Sequence, residues 1–279
     1  MNQNNPLQQY FRQPAIYVKL PSQGKFYPEG SLVLPATGEL PVYPMTAIDE
    51  ITYRTPDALF NGQATVNVIE SCIPNIKNGW AVPATDIDTL LIAIRIASYG
   101  HDMEFSTTCP KCQNVSDQTL DLRIALDNMQ NPDYNTSIKS GDMEIFLRPM
   151  AYQNLNDNNR LQYENQKLLQ GLPDASVDEE AKMTALSAAL KKITNITINA
   201  IGLSIAAIKT PVALVTESNF INEWLHNCDK NTFTQIRDRI IELKSTAEMQ
   251  PLKLTCPSCE HQYEQLVTLD MTSFFEAAS

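Results

Sequence analysis

The 279-residue sequence predicts an α+β fold: short N-terminal β-strands, a helical body, and a pair of Cys-x-x-Cys hairpins joining the two ends of that body. Three observations predict it. Proline-punctuated runs of strand-forming residues fill the first 45 positions. Helix start and stop signals then dominate residues 46–102 and 150–247. Two short segments of matching layout, Met103–Cys112 and Leu252–Cys259, each place a Cys-Pro-x-Cys turn after a strand-like run.

Taken in order, residues 1–14 are rich in Asn and Gln and read as a flexible or partner-ordered arm. An N-terminal β segment follows at 15–45. Ala15–Leu20 reads as a strand, stopped by Pro21-Ser22-Gln23-Gly24, and two shorter strands at Ser31–Leu34 and Leu40–Tyr43 flank the Thr37-Gly38 turn. Residues 46–102 form a helical region. Thr46 caps a helix through Tyr53, and Thr55-Pro56-Asp57 starts another that Asn61-Gly62 breaks. Val66, Val68, Ile69 and Ile73 mark a third, stopping at Pro74, and Pro83-Ala84-Thr85-Asp86 opens a fourth that runs to Gly100.

Residues 103–123 read as strand, knuckle, strand, and 252–271 as a second copy of that layout; together they form one ribbon-like subdomain. Between them, 124–251 is a hairpin and helical insertion. Its hairpin joins Asn135–Lys139 to Met143–Leu147 around Ser140-Gly141. Long helices are expected over 150–170 and 176–208, parted by Gly171-Leu172-Pro173-Asp174, with Ser176-Val177-Asp178-Glu179 as a capping box. A strand at Val212–Val215 and helices over 217–227 and 230–247 complete the insertion.

The formal charge of −11 argues against a broad phosphate-binding surface, and the only close basic doublet is Lys191-Lys192. Met1-Asn2-Gln3-Asn4-Asn5 lacks the layout of a secretory signal. The apolar runs at Leu90–Ile94 and Ile198–Ile208 fall short of a bilayer span, so a soluble protein is expected. Six cysteines without a signal peptide suggest a reducing compartment, where paired thiols more often hold metal than form disulfides.

Cys109, Cys112, Cys256 and Cys259 are the candidate metal ligands. A Cys-x-x-Cys turn presents two thiolates on one side, and two such turns supply the four soft ligands of a structural Zn2+. The 143 residues between the knuckles (113–255) exceed common ribbon spacing, but the flanking strands match. Four thiolates also suit an iron–sulfur cluster. Redox-active pairs are disfavoured, because the motif is doubled and lacks a thioredoxin-like βαβ context. His261 reads as a strand histidine, with a hydrogen bond to a ligand as the alternative.

No catalytic or cofactor-cradling motif accompanies the cysteines. Nine glycines form no phosphate loop, and His101, His226 and His261 have no nucleophile pattern, so no enzyme is expected. Cys72 and Cys228 read as core thiols, and Trp80 and Trp224 as core or interface anchors.

Several blocks together resemble the baseplate protein family of T4-type contractile-tailed bacteriophages, the family of the baseplate hub assembly proteins. They are Val18–Tyr27, Met45–Phe60, Val68–Pro74 and, most similar, Asp86–Gly100 leading to Cys109-Pro-Lys-Cys112. The resemblance implies a structural part of the baseplate hub region in the virion tail, made in the host bacterial cytoplasm, with other baseplate proteins as partners and no catalysis. An assembly factor for the hub that leaves before the virion matures is the alternative. A zinc-ribbon nucleic-acid-binding protein is a third reading, disfavoured because Glu104, Asp117, Asp121, Glu260 and Glu264 outnumber the cations around the knuckles.

Overall fold

The structure, a computed structural model, describes residues 6–53, 62–170 and 179–265. Its first part comprises β1 (Ile16–Lys19), β2 (Glu39–Val42), α1 (Ala47–Tyr53), α2 (Gln63–Cys72), α3 (Ala84–Tyr99), β3 (Asp102–Thr108), β4 (Val115–Asp121) and α4 (Leu122–Asn128). Then come β5 (Ile138–Ser140), β6 (Met143–Leu147), α5 (Tyr152–Gln170), α6 (Glu179–Leu203), β7 (Ile205–Lys209) and β8 (Leu214–Val215). The chain continues through α7 (Ser218–Asn227), α8 (Lys230–Ala247), β9 (Leu252–Thr255) and β10 (Gln262–Gln265). Eight helices and short antiparallel strands among the described residues give the expected α+β class.

The elements group into two compact units. One takes the chain up to Gly79, Thr85–Asn131 and the part from Ala247 on; the other takes Trp80–Ala84 and Pro132–Thr246.

In the first unit β1 and β2 pair with Val18 opposite Leu40, both buried. α1 begins on a reciprocal cap: the Thr46 N–H donates to Asp49 Oδ2 at 2.7 Å, and the Asp49 N–H donates to Thr46 Oγ1 at 3.2 Å. α3 is the central helix. Thr85–Ile87 and Thr89–Arg95 are all buried, as expected of a helix enclosed on every side, and Gly100 ends it at φ 89°. The strand expected over Ser31–Leu34 shrinks to a single bridge, Leu32 to Ile76. Ser31 is drawn into a turn by its N–H bond to Pro28 O, and Val33 bonds the loop at Asn75 rather than a strand.

α4 was not expected from the sequence. Asp121, the last residue of β4, caps it by accepting from the Arg123 N–H at 2.9 Å.

The second unit holds one antiparallel sheet in the order β5-β6-β7-β8. Ile145 and Leu147 of β6, Ile205 and Ile208 of β7, Ile201 of α6, Ile221 and Leu225 of α7, and Ile236 and Leu243 of α8 form its core. The helix expected over 176–208 ends at Leu203, and its last residues form β7 instead. A short apolar run such as Ile205-Ala-Ala-Ile fits either period, and the open edge of β6 decides it, pairing Ile145 with Ile208. Gly202 lets α6 and α7 approach: a Cβ there would run into the Asn222 side chain.

Asn135–Thr136 lie outside β5, which starts at Ile138, and the turn falls at Gly141-Asp142. The expected helix start at Thr55-Pro56-Asp57, the Gly171–Asp174 break, most of the Ser176–Glu179 box and residues 266–271 of the second hairpin lie outside the described residues. Arg12, in the segment expected as an arm, is bound to the chain's own body. Its guanidinium donates to Pro44 O at 2.5 Å, to Ser71 O at 2.6 Å and to Ser71 Oγ at 2.9 Å, with Asp49 Oδ2 at 3.5 Å.

Candidate metal centre

The two knuckles fold alike, position for position. β3 and β4 leave the turn at Thr108 opposite Val115, and β9 and β10 leave theirs at Thr255 opposite Gln262. In the first turn the Cys109 N–H donates to Asn114 O at 2.9 Å and the Gln113 N–H to Cys109 O at 3.0 Å. In the second, the Cys256 N–H donates to His261 O at 2.9 Å and the Glu260 N–H to Cys256 O at 3.0 Å. Each turn reverses through one left-handed residue just after its second cysteine, Gln113 at φ 59° and Glu260 at φ 56°. The proline after each first cysteine fixes φ for the start of the turn.

These matching turns aim four sulfurs at one point. Cys109 Sγ lies 3.8 Å from Cys259 Sγ, and Cys112 Sγ lies 3.6 Å from Cys256 Sγ. All four sulfurs lie within 4.8 Å of one another. A tetrahedron of ~2.3 Å metal–sulfur bonds has edges of about 3.8 Å, so the spacing suits a single four-coordinate ion. The four sulfurs come from both knuckles, so an ion here would join the two hairpins rather than brace one turn alone. Cys109 and Cys256 are buried, Cys259 is half-buried, and Cys112 faces solvent.

The electrostatics favour thiolate at one corner. Burial opposes charge at Cys256, but the backbone N–H groups of Ser258 and Cys259, with the neighbouring thiols, bring it down to about 7. At Cys112 the Asn114 backbone contact favours the thiolate, yet hydrogen bonding with Cys259, burial and the remaining thiols outweigh it and push it up to about 12. Four thiols this close cannot all ionise without a cation between them.

Polar contacts also stitch the hairpins together beside the sulfurs. Thr107 Oγ1 donates to Gln265 Oε1 at 3.2 Å, and the Tyr263 hydroxyl lies 3.5 Å from Thr107 Oγ1. The His261 ring stacks on Tyr263 at 6.4 Å between centroids, and its backbone carbonyl braces the Cys256 turn. His101, Asp102 and Asp121 form a second group of clustered donor atoms. Asp121 is already committed there: the Arg123 side chain bonds it at 2.6 Å and holds its carboxyl down to about 2.

That the four cysteines belong together was legible in the sequence; the left-handed residues that shape the turns were not, since glycine is the usual signal for that backbone and here Gln and Glu stand instead. Sequence reasoning also missed a buried cluster at the start of α3. Asp86 Oδ1 accepts from the Ser22 N–H at 2.8 Å, while Oδ2 accepts from Ser22 Oγ at 2.5 Å and from the Tyr27 hydroxyl at 3.0 Å. Burial pushes the Asp86 carboxyl up to about 6 against these three donors, and burial beside Asp86 pushes the Tyr27 phenol up. The cluster pins the Ser22–Tyr27 loop, with Gln23 and Phe26 both at positive φ, onto the central helix.

The remaining singled-out residues serve packing. Cys72 is fully buried and its thiol is pushed up to about 12 by that burial, while Cys228 lies half-buried at the end of α7. Trp80 stacks on Tyr152 at 5.6 Å, and Trp224 packs on the core of the second unit.

No described helix is long and apolar enough to cross a membrane. No curated protein and no solved structure matches the chain. The family model described as T4 bacteriophage base plate protein matches residues 28–276, a span that begins just after the loop pinned by Asp86 and runs past both knuckles, and the chain belongs to that family.

Proposed function

We propose that this protein is a non-enzymatic structural subunit of the hub region of a contractile phage tail baseplate, and that Cys109, Cys112, Cys256 and Cys259 hold a structural Zn2+. The observation that carries the metal reading is the set of four sulfurs, all within 4.8 Å, presented by two like turns. Four thiolates complete a tetrahedral shell and leave no open position for substrate, which suits a clamp rather than a catalyst. A cluster of several irons would hold its cysteine sulfurs further apart than one ion does, so the spacing favours zinc over the iron–sulfur alternative.

The buried polar groups support a structural role, because Asp86 and Asp49 are engaged in fastening loops and the N-terminal segment.

Quantitative mass spectrometry of purified mature particles tests the structural reading. A fixed stoichiometry with tail proteins is expected. Absence from particles together with abundance in infected cells would instead identify an assembly factor for the hub.

A further inference from the structure

α6 carries an apolar stripe that the described residues leave uncovered. Met183, Leu186, Leu190 and Ile193 are 69%, 41%, 53% and 38% exposed. Their spacing of three, four and three residues is the seam of a helix built to pack against another helix. The stripe borders a shallow groove of about 480 Å³ whose lining residues all belong to α6. It stops where the helix joins the core of its unit, since Ile196 and Ile201 are buried. A seam of this kind on one helix marks an interaction surface rather than scattered surface apolarity.

Charge identifies the occupant. Residues 181–216 contain no Asp or Glu, although the chain has 32 such residues in 279. The same stretch holds Lys182, Lys191, Lys192 and Lys209. Lys191 lines the groove beside Leu190, and Lys192 adjoins it, both exposed. A second copy of the chain would bring lysines toward lysines with no acid along either seam, which opposes self-pairing. We propose that the exposed seam of α6 docks an amphipathic helix of a different protein, one with acidic residues flanking its apolar stripe. This rests on reading the chain as a subunit of an assembly and names the chemistry of one neighbour.

The test places a photo-crosslinking residue at Leu190 of the full-length protein in infected cells, and maps the cross-linked peptide in those cells and in baseplates purified from them. The expected product joins position 190 to a heptad-patterned helix of another baseplate protein with Glu or Asp beside its apolar positions. Lys191→Glu with Lys192→Glu is expected to cut that cross-link about tenfold or more, and charge reversal on the partner helix to restore it. Bound metal and circular dichroism stay at the parent values, because both lysines are exposed. Cross-links only to a second copy, cross-links to a segment without flanking acids, or a position 190 that stays solvent-accessible in assembled baseplates would each overturn the proposal. Absence from mature particles with the cross-link intact in infected cells would overturn the retained-subunit reading and leave the docking surface standing.

Discussion

Single residues set the shape and pH response of the first unit. Gln113 and Glu260 hold left-handed backbone after the second cysteine of each knuckle, a conformation that costs an L side chain up to about 1 kcal/mol relative to glycine. Gln113→Gly and Glu260→Gly are therefore expected to raise the melting temperature, each by an amount equivalent to several tenths of a kcal/mol and up to about 1 kcal/mol; a lower melting temperature would show that the side chains contribute more than the strain. Asp86 makes a second, opposite kind of prediction. Its folded carboxyl sits near 6, above the ordinary value of 3.8, so the folded state binds the extra proton between those values. Stability from this group is thus full below about pH 4 and is lost as pH rises through 6. Asp86→Asn, which keeps an acceptor for the Ser22 N–H, removes that dependence. Across pH 4 to 6 the parent should lose roughly 2–3 kcal/mol relative to the variant, read by denaturant unfolding of both proteins. A constant difference across that window contradicts the assignment.

At the scale of elements, close approach decides what sequence periodicity leaves open. Gly202 sits where α6 meets α7, with the Asn222 side chain against it. Gly202→Ala should cost the second unit about 1 kcal/mol or less, because the atom in the way is the end of the Asn222 side chain and alanine favours the helix, and Asn222→Ala in the same chain should make the change neutral or stabilising; no such recovery would place the strain elsewhere. The start of α1 at Thr46, the stop of α3 at Gly100 and the extents of α7 and α8 were readable, because caps, glycine and strong periodicity lie in the local sequence. β7 was not, since Ile205–Lys209 fits helix or strand until β6 offers its edge. α4 was hidden because its cap, Asp121, doubles as the last residue of a strand. The grouping of the four cysteines was readable for a chemical reason: a turn with two residues between its thiols, present twice, suits one shared ion whatever the distance between turns. Asp86 was readable only as a helix-start acid, because its burial depends on a loop some 60 positions earlier folding over it. Nothing local records that.

At the scale of the whole molecule, the chain leaves the first unit at Asn131 and returns to it at Ala247, with 115 residues (132–246) of the other unit in between. The proposed zinc would close that excursion covalently enough to matter, since binding at a structural four-ligand site contributes on the order of 10 kcal/mol of apparent free energy. Removal of metal by a chelator should therefore release amide-exchange protection in 102–121 and 252–265 together, while the core around Ile145, Ile205 and Ile236 keeps its protection. Loss of protection in only one hairpin would mean that the knuckles do not share an ion. The most direct measurement is elemental analysis of the purified full-length protein beside Cys256→Ser. About one zinc per chain in the parent, falling well below that in the variant, is the predicted result. Iron with a visible absorption band, or a parent free of metal after purification without chelators, would contradict it.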